Sequence, residues 1–289
     1  MDIQTISEAA TVAVACAIVF LLVAKSWQLL TRVFSVHSNF ADSIMSEAAQ
    51  RFRDQLKLLS RQQSTYLGAG LVFVVMYVAA TLFQGPQLFA GYPEWQLYIL
   101  LAALVGAALF ALYRLGRTII TWRQVQFLRD ANIAIGHQLQ RIASRHGRAY
   151  HDVPTTAGIV DHVLIGQSGV YAINVVAKRH FKQGWAELDD NEVTFSTGKH
   201  AQSVVDIAAK STRLQKELCK KTGHNIRVRS VIAVPGWDIN DQTSAEHLLV
   251  NERNLPMISG WKDQADYLMN EDVDTLQTYL TELCRRTVT

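Results

Sequence analysis

Long apolar runs occupy the first part of the chain. Residues 9–30, 65–83 and 95–113 each approach the about 20 apolar residues that a helix needs to cross a bilayer. The pattern therefore predicts three transmembrane helices. Residues 32–64 are predicted to form a helical connection, because apolar side chains recur there at helical spacing beside basic ones. This connection could lie on lipid, dock onto the rest of the protein or continue into the second span.

The distribution of lysine and arginine predicts how these spans are oriented. Basic residues cluster between the first and second spans and after the third, whereas residues 84–94 contain none. The positive-inside rule then places the N-terminus outside and the C-terminal region in the cytoplasm. We therefore expect a multi-pass protein of the inner (cytoplasmic) membrane, with the lipid bilayer as a partner. Small residues at four-residue spacing fit a compact anchor, a homo-oligomer or a membrane protein partner.

A predicted β-hairpin lies near the middle of the chain. Two β-branched apolar runs, 159–165 and 170–176, flank a Gly-Gln-Ser-Gly turn, which is a hairpin composition. The first run contains one acid, Asp161, and the basic residues Lys178, Arg179 and Lys182 follow the second run.

Alternating and helical patterns predict the elements around the hairpin. The fold class expected is α/β, with three N-terminal transmembrane helices followed by a mixed-sheet domain. The domains are predicted as a membrane anchor, 1–123, and a cytoplasmic domain, 124–289. Its predicted elements are a helix at 123–145, a strand at 150–153, the hairpin, two strands within 184–196, a helix at 200–221, strands at 227–235 and 247–250, and helices at 263–269 and 273–284.

The amino-acid composition and the positions of charged residues and cysteines limit the kinds of protein that this chain can be. With 49% hydrophobic and 18% charged residues, the chain has room for one ordinary domain besides a lipid-embedded part. The net charge of +3 is too small to indicate a partner. Cys16, Cys219 and Cys284 follow no metal-ligand or disulfide spacing and are predicted to be reduced. The predicted spans carry no acid or base near their centres, which argues against a transporter.

Four stretches resemble the nuclease-related domain family: His-Asp-Val-Pro at 151–154, the hairpin residues 161–173, Ala201-Gln202 at a predicted helix start, and residues 231–237. That family belongs to the restriction-endonuclease-like superfamily, whose catalytic signature is an Asp followed on the next strand by Glu-x-Lys. The resemblance covers about residues 130–260 and implies a restriction-endonuclease-like mixed sheet.

The signature implies metal-assisted phosphodiester hydrolysis. Two carboxylates on adjacent strands hold Mg²⁺, the ion polarises the scissile phosphate and lowers the pKa of a bound water, and the lysine orients that water. Glu and Lys are separated by one residue because side chains alternate between the two faces of a strand.

The resemblance places some of these residues in this chain and not others. Asp161 falls on the position of the metal-binding Asp, and Gln202 on a glutamine of the helix that approaches the site. The Glu position is Asn174 and the Lys position is Val176, while Lys178 lies one alternation further on and could be a displaced lysine. The predicted site is therefore Asp161, Asn174, Lys178 and Gln202, with Asp161 as the Mg²⁺ ligand. The alternative is that these are ordinary polar strand and helix residues.

Basic residues near the hairpin could follow a nucleic-acid backbone. The predicted nucleic-acid-binding residues are Lys178, Arg179, Lys182, Lys210 and Arg213. Because positive and negative charges balance over residues 129–289, a solvated mixed-charge face is the alternative. The histidines near the hairpin have no dependable ligand spacing, so surface or packed positions are favoured over a metal site for His151, His162, His180 and His200.

These observations predict a membrane-anchored nuclease-related protein that binds or processes DNA or RNA at the cytoplasmic membrane face. One alternative is an active Mg²⁺-dependent phosphodiesterase, and another is a non-catalytic scaffold or protein-interaction module. Binding is slightly favoured over cleavage, because a neutral amide and a valine occupy the Glu and Lys positions.

Overall fold

The protein was analysed as a computed structural model. It describes residues 3–33, 45–83, 94–179, 184–189, 192–196, 201–242, 244, 246–260 and 266–285. The chain divides into two compact units. The first unit comprises Met1–Val36 and Gln55–Val125, and the second comprises His37–Asp54 and Gln126–Thr289.

Three long helices begin the fold: α1 (Ile3–Val33), α2 (Gln50–Phe83) and α3 (Glu94–His146). The continuous helix α2 confirms that the second half of the 32–64 connection continues into the apolar run after it. Helix α3 likewise extends from the third apolar run through the helix predicted at 123–145.

The prediction of transmembrane helices is wrong. Over the described residues, none of the helices has a stretch that is both long and apolar enough to span a bilayer. In helix α2 the first half is polar, with Arg51, Arg53, Asp54, Lys57 and Arg61, so the apolar part is confined to the second half of the helix. The same finding overturns the predicted multi-pass membrane location and removes the support for lipid as a partner.

The second unit is built on a mixed sheet of five strands in the order β1-β2-β3-β7-β9. The first three strands are antiparallel, and β3, β7 and β9 are parallel. The predicted hairpin is confirmed as β2 and β3, in which Gly166 pairs with Gly169 across the turn. The strands of this sheet are β1 (Arg148–Thr155), β2 (Gly158–Gly166), β3 (Gly169–Val175), β7 (Val228–Ala233) and β9 (His247–Val250).

Four shorter strands form a second sheet in the order β6-β5-β4-β8. They are β4 (Trp185–Asp189), β5 (Glu192–Phe195), β6 (Gln202–Ser203) and β8 (Asp238–Gln242). The prediction that Gln202 begins a helix is wrong. Gln202 pairs with Val193 on β5, so its backbone is extended, and helix α4 begins only at Val205.

Helices cover both faces of the five-stranded sheet. One face packs against α4 (Val205–Thr222) and α5 (Asn270–Leu283), which match the helices predicted at 200–221 and 273–284 apart from their bounds. The opposite face packs against the last part of α3 and a 3₁₀ helix, Leu255–Gly260. Residues 263–265 of the helix predicted at 263–269 lie outside the described residues, and the prediction is wrong for residues 267–269, which are not helical. This arrangement is a mixed α/β domain.

Candidate functional site

Asp161 and Asn174 lie on adjacent strands at one end of the hairpin. The β2–β3 register pairs His162 with Ile173, so Asp161 faces Asn174 one step further along. Residues opposite each other in an antiparallel pair point to the same side of the sheet. Both side chains therefore lie on the face covered by helix α4, next to the carboxyl end of β3.

The Asp161 carboxylate is fully engaged by protein donors. Its Oδ1 forms an ion pair with the guanidinium of Arg51, and its Oδ2 accepts a hydrogen bond of 2.7 Å from the backbone N–H of Val175. Burial raises the pKa of Asp161, while the positive charges of Arg51 and, more weakly, Lys210 oppose that shift. Lys210 projects from helix α4, so the charge next to Asp161 comes from two other elements.

A second buried carboxylate, Asp152, shares the same arginine. The backbone N–H of Arg51 donates to Asp152 Oδ2 at 3.1 Å, and Arg51 Nε lies 3.5 Å from Asp152 Oδ1. Asp152 has a left-handed φ of 52°. It therefore lies outside the regular pairing of β1 with β2. Burial raises the pKa of Asp152, and Arg51 opposes this shift as well. One guanidinium thus serves two buried acids.

Arg51 belongs to a stretch that we call the docked segment, residues 45–54. Met45 forms an antiparallel bridge with Arg285 after helix α5, and Ser46 N–H donates to the carbonyl oxygen of Cys284 at 3.1 Å. Ala48 and Ala49 are buried. These contacts hold the segment on the second unit, and they place Arg51 at a carboxylate 110 residues further along the chain.

The remaining residues of the predicted site are not all near Asp161. Asn174 is buried, and neither its Oδ1 nor its Nδ2 has a hydrogen-bond partner among the described residues. The ammonium of Lys178 lies 4.8 Å from the ring centre of Phe195, a residue of the second sheet. Gln202 is exposed on β6 in that sheet. The structure thus brings Asp161 and Asn174 together, and it places Lys178 and Gln202 at the second sheet.

Val176, at the position of the catalytic lysine, is buried in an apolar cluster with Ile232 and Val234. Among the basic residues, Arg179 lies over the ring of Phe127 at 5.2 Å, and Arg213 is exposed beside Glu217 at 3.3 Å. Lys182 lies outside the described residues.

The two described histidines of the predicted set face the other side of the sheet. His151 and His162 are buried, with a distance of 2.8 Å between their Nδ1 atoms, so one ring donates and the other accepts. Burial lowers the pKa of His151 to about 4 and lowers the pKa of His162 well below its usual value. Both rings are therefore neutral, packed groups at pH 7. His180 and His200 lie outside the described residues.

Sequence reasoning missed Arg51 and Asp152 as parts of this site. Asp152 lies within the His-Asp-Val-Pro stretch, so its position beside the hairpin was a signal that could have been used. Arg51 carried no such signal, because nothing in the local sequence indicates which remote carboxylate a helical arginine will contact.

The Mg²⁺ ion that the signature implies does not fit these side chains as they are arranged. Both oxygens of Asp161 are engaged, by Arg51 and by the Val175 N–H. The neighbouring positions, Asn174 and Val176, supply no second negative charge, which Mg²⁺ sites in proteins usually use. Among the described residues, no cluster of three or more His, Cys, Asp and Glu side chains is placed to hold a metal ion.

In comparisons with known proteins, one family model matches this part of the chain. Residues 129–235 match the nuclease-related domain, and this match includes Asp152, Asp161, Asn174 and Lys210. Searches among curated proteins and among solved structures gave no match. Residues 129–235 of this chain are thus similar to the nuclease-related domain family.

Proposed function

We propose that this protein binds DNA or RNA through its nuclease-related domain and does not cleave it. The observation that carries the proposal is the occupation of the Asp152 and Asp161 carboxylates by the guanidinium of Arg51. An Asp that is neutralised by arginine and hydrogen-bonded by a backbone N–H is a poor ligand for a catalytic metal ion.

The replaced signature residues support the absence of cleavage. Metal-assisted hydrolysis needs negative ligands for the ion and a cation that offsets the charge developing on the phosphate. Asn174 offers a neutral amide, and Val176 is 3% exposed within an apolar cluster. Neither side chain can take the role of the residue that the family signature places there.

The proposed binding surface consists of Lys178, Arg179, Lys210 and Arg213. Arg179 and Arg213 are exposed, and Lys178 and Lys210 are half-buried. Lys178 and Arg179 follow the carboxyl end of β3, and their charged groups lie over the rings of Phe195 and Phe127. Phosphate contacts by such residues supply affinity without requiring a metal ion.

Fluorescence anisotropy tests the proposal with the full-length protein and labelled 30-nucleotide probes of duplex DNA, single-stranded DNA and RNA. Affinity should fall steeply between 50 and 200 mM salt. The double variant Lys178→Ala, Arg179→Ala should bind more weakly and reduce the slope of log K against log salt by about 1 to 2, since each phosphate contact contributes about 0.9.

A matched control is Lys221→Ala. Lys221 lies on the same helix as Lys210, about 16 Å away at 1.5 Å per residue, and its ammonium packs over Tyr279 of helix α5. This variant loses one positive charge, where the double variant loses two, and should keep the wild-type slope. If no probe binds at any salt concentration, the proposal is wrong and the protein-interaction alternative takes its place.

A second candidate function is Mg²⁺-dependent cleavage, and one observation favours it. Asp161 and Asn174 share one face, and Lys210 supplies a positive charge to Asp161 from helix α4. Incubation of each probe with 10 mM Mg²⁺ or Mn²⁺ separates the two functions. If the wild type cleaves a probe and Asp161→Ala does not, cleavage replaces the binding-only proposal. If every probe stays intact, the binding-only proposal is supported.

A further inference from the structure

Arg51 occupies the place that a cation would take between two buried acids. The side chains of Asp152 and Asp161 are each 8% exposed, whereas that of Arg51 is 26% exposed. Two like charges buried close together are costly unless a positive charge compensates them. The guanidinium supplies that charge and contacts both carboxylates.

Asn174 provides an independent sign that this pocket suits a cation. Its side chain lies opposite Asp161 on the same face, it is 3% exposed, and its amide oxygen and nitrogen have no hydrogen-bond partner among the described residues. Buried amides are nearly always hydrogen-bonded, because an unpaired buried polar group costs about 1 to 3 kcal/mol. Asp152 Oδ1 also has no hydrogen bond among the described residues.

The arginine comes from the docked segment, which is not a strand of the five-stranded sheet. The docked segment is held at Ser46 by the Cys284 carbonyl oxygen and at Met45 by Arg285, both near the end of helix α5. It also contacts β1, through the Arg51 N–H at Asp152 and through Arg148 at Met45. The acids, by contrast, belong to the sheet: Asp161 lies on β2 and Asp152 on the edge strand β1.

We propose that Arg51 is a resident cation that competes with divalent metal ions for a site formed by Asp152, Asp161 and Asn174. With Arg51 in place, the three side chains do not bind a divalent ion. When Arg51 is removed, the two carboxylates that it contacted and the amide oxygen opposite Asp161 remain. This is an all-oxygen donor set of the kind that Mg²⁺ and Mn²⁺ prefer. The inference does not depend on nucleic-acid binding.

Titration of the full-length protein with Mn²⁺ tests this competition, with the loss of the free-ion electron paramagnetic resonance signal as the readout. The wild type should leave Mn²⁺ free, and Arg51→Gln should bind about one equivalent at least tenfold more tightly than the wild type. Arg51→Gln combined with Asp161→Asn should return to the wild-type level. Equal binding by the wild type and Arg51→Gln, or no binding by either, would overturn the proposal.

Two further variants keep the test decisive. Arg53→Gln removes an arginine from the same segment, one that pairs with the exposed Glu47, and should bind Mn²⁺ as the wild type does. A gain in this control equal to that of Arg51→Gln would overturn the proposal. If Arg51→Gln does not fold, Arg51→Lys is used in its place to test the competition with Mn²⁺. Lysine keeps the positive charge but lacks the planar guanidinium group that contacts both acids. The Mn²⁺ affinity of Arg51→Lys should therefore rise at least threefold over the wild type. An unchanged affinity would contradict the proposal.

Discussion

The buried histidine pair makes a specific prediction about pH. His151 and His162 share one hydrogen bond under helix α3, and burial holds the pKa of His151 at about 4. Above about pH 6.5 both states of the chain carry neutral rings, so the pair contributes its full stability. As the pH falls towards 4, His151 becomes protonated in the unfolded chain but stays neutral in the folded chain. The contribution of this pair to the free energy of unfolding therefore decreases with acidification.

Urea denaturation at pH 7 and pH 5 measures this effect. We expect the free energy of unfolding to fall by about 2 kcal/mol from His151 alone, at 1.4 kcal/mol per pH unit below about 6.5. His151→Gln should reduce this pH dependence. His137→Gln, at an exposed position on helix α3, should retain it. Equal pH dependence of the wild type and His151→Gln would contradict the lowered pKa of His151.

Asp161 and Asn174 show how far a sequence can specify a site. Their pairing followed from the hairpin, because an apolar run, a Gly-rich turn and a second apolar run fix which residues face each other. The groups that surround these two side chains could not be predicted from the hairpin sequence. Whether a strand carboxylate faces water, a metal ion or an arginine depends on contacts from remote segments, and the pattern of a strand contains no information about those segments.

Helix α3 packs on the docked segment at a glycine. A Cβ placed on Gly136 would lie 2.6 Å from the Cβ of Ala48, and within 4 Å of both buried histidine rings. Such a contact is closer than real Cβ atoms tolerate, so the segment and the helix can approach only because position 136 lacks a side chain. This close approach helps to hold the segment that carries Arg51.

Gly136→Ala should therefore lower the free energy of unfolding by about 1 to 3 kcal/mol, although alanine is the better helix former. The control is Gly116→Ala on the same helix, where an added Cβ meets nothing within 4 Å. That change should leave stability unchanged or raise it by up to about 1 kcal/mol. Urea denaturation measures the stability of both variants. If Gly136→Ala were more stable than the wild type, the close approach between helix α3 and the docked segment would be contradicted.

The elements were predictable to the extent that their periodicity was strong. The strands β2, β3, β7 and β9 and the helices α4 and α5 follow from apolar spacing. Gln202 was misplaced because a polar residue ahead of a helical pattern can equally end a strand, and pairing with Val193 decides the matter. That pairing depends on tertiary contacts that a local pattern does not encode.

At the level of the chain, the apolar runs gave the wrong conclusion. Hydropathy identified three helical stretches correctly as helices, but none of the described helices is long and apolar enough to cross a bilayer. The compact unit that contains the nuclease-related match is discontinuous in the sequence. The second unit includes His37–Asp54, which are separated from Gln126–Thr289 by most of the first unit.

This discontinuity leads to a prediction about the coupling between the docked segment and the sheet. Asp161→Asn removes the charge that attracts Arg51 from the sheet side. Peptides covering residues 45–54 should then exchange their amide hydrogens about tenfold faster, which corresponds to about 1.4 kcal/mol of local opening free energy. Peptides from β7 should be unchanged, because its hydrogen bonds to β3 and β9 do not involve the segment.

Hydrogen-exchange mass spectrometry of the full-length protein provides the measurement, and Glu47→Gln is the control. That change breaks the exposed ion pair with Arg53 in the same segment, and exposed pairs contribute about 1 kcal/mol at most. Faster exchange in β7 and the segment alike would indicate global destabilisation instead. Unchanged exchange at 45–54 would mean that the backbone contacts of Ser46 and Met45 hold the segment without Arg51. A selective increase at 45–54 requires that the Arg51–Asp161 ion pair binds a remote piece of chain to the nuclease-related domain.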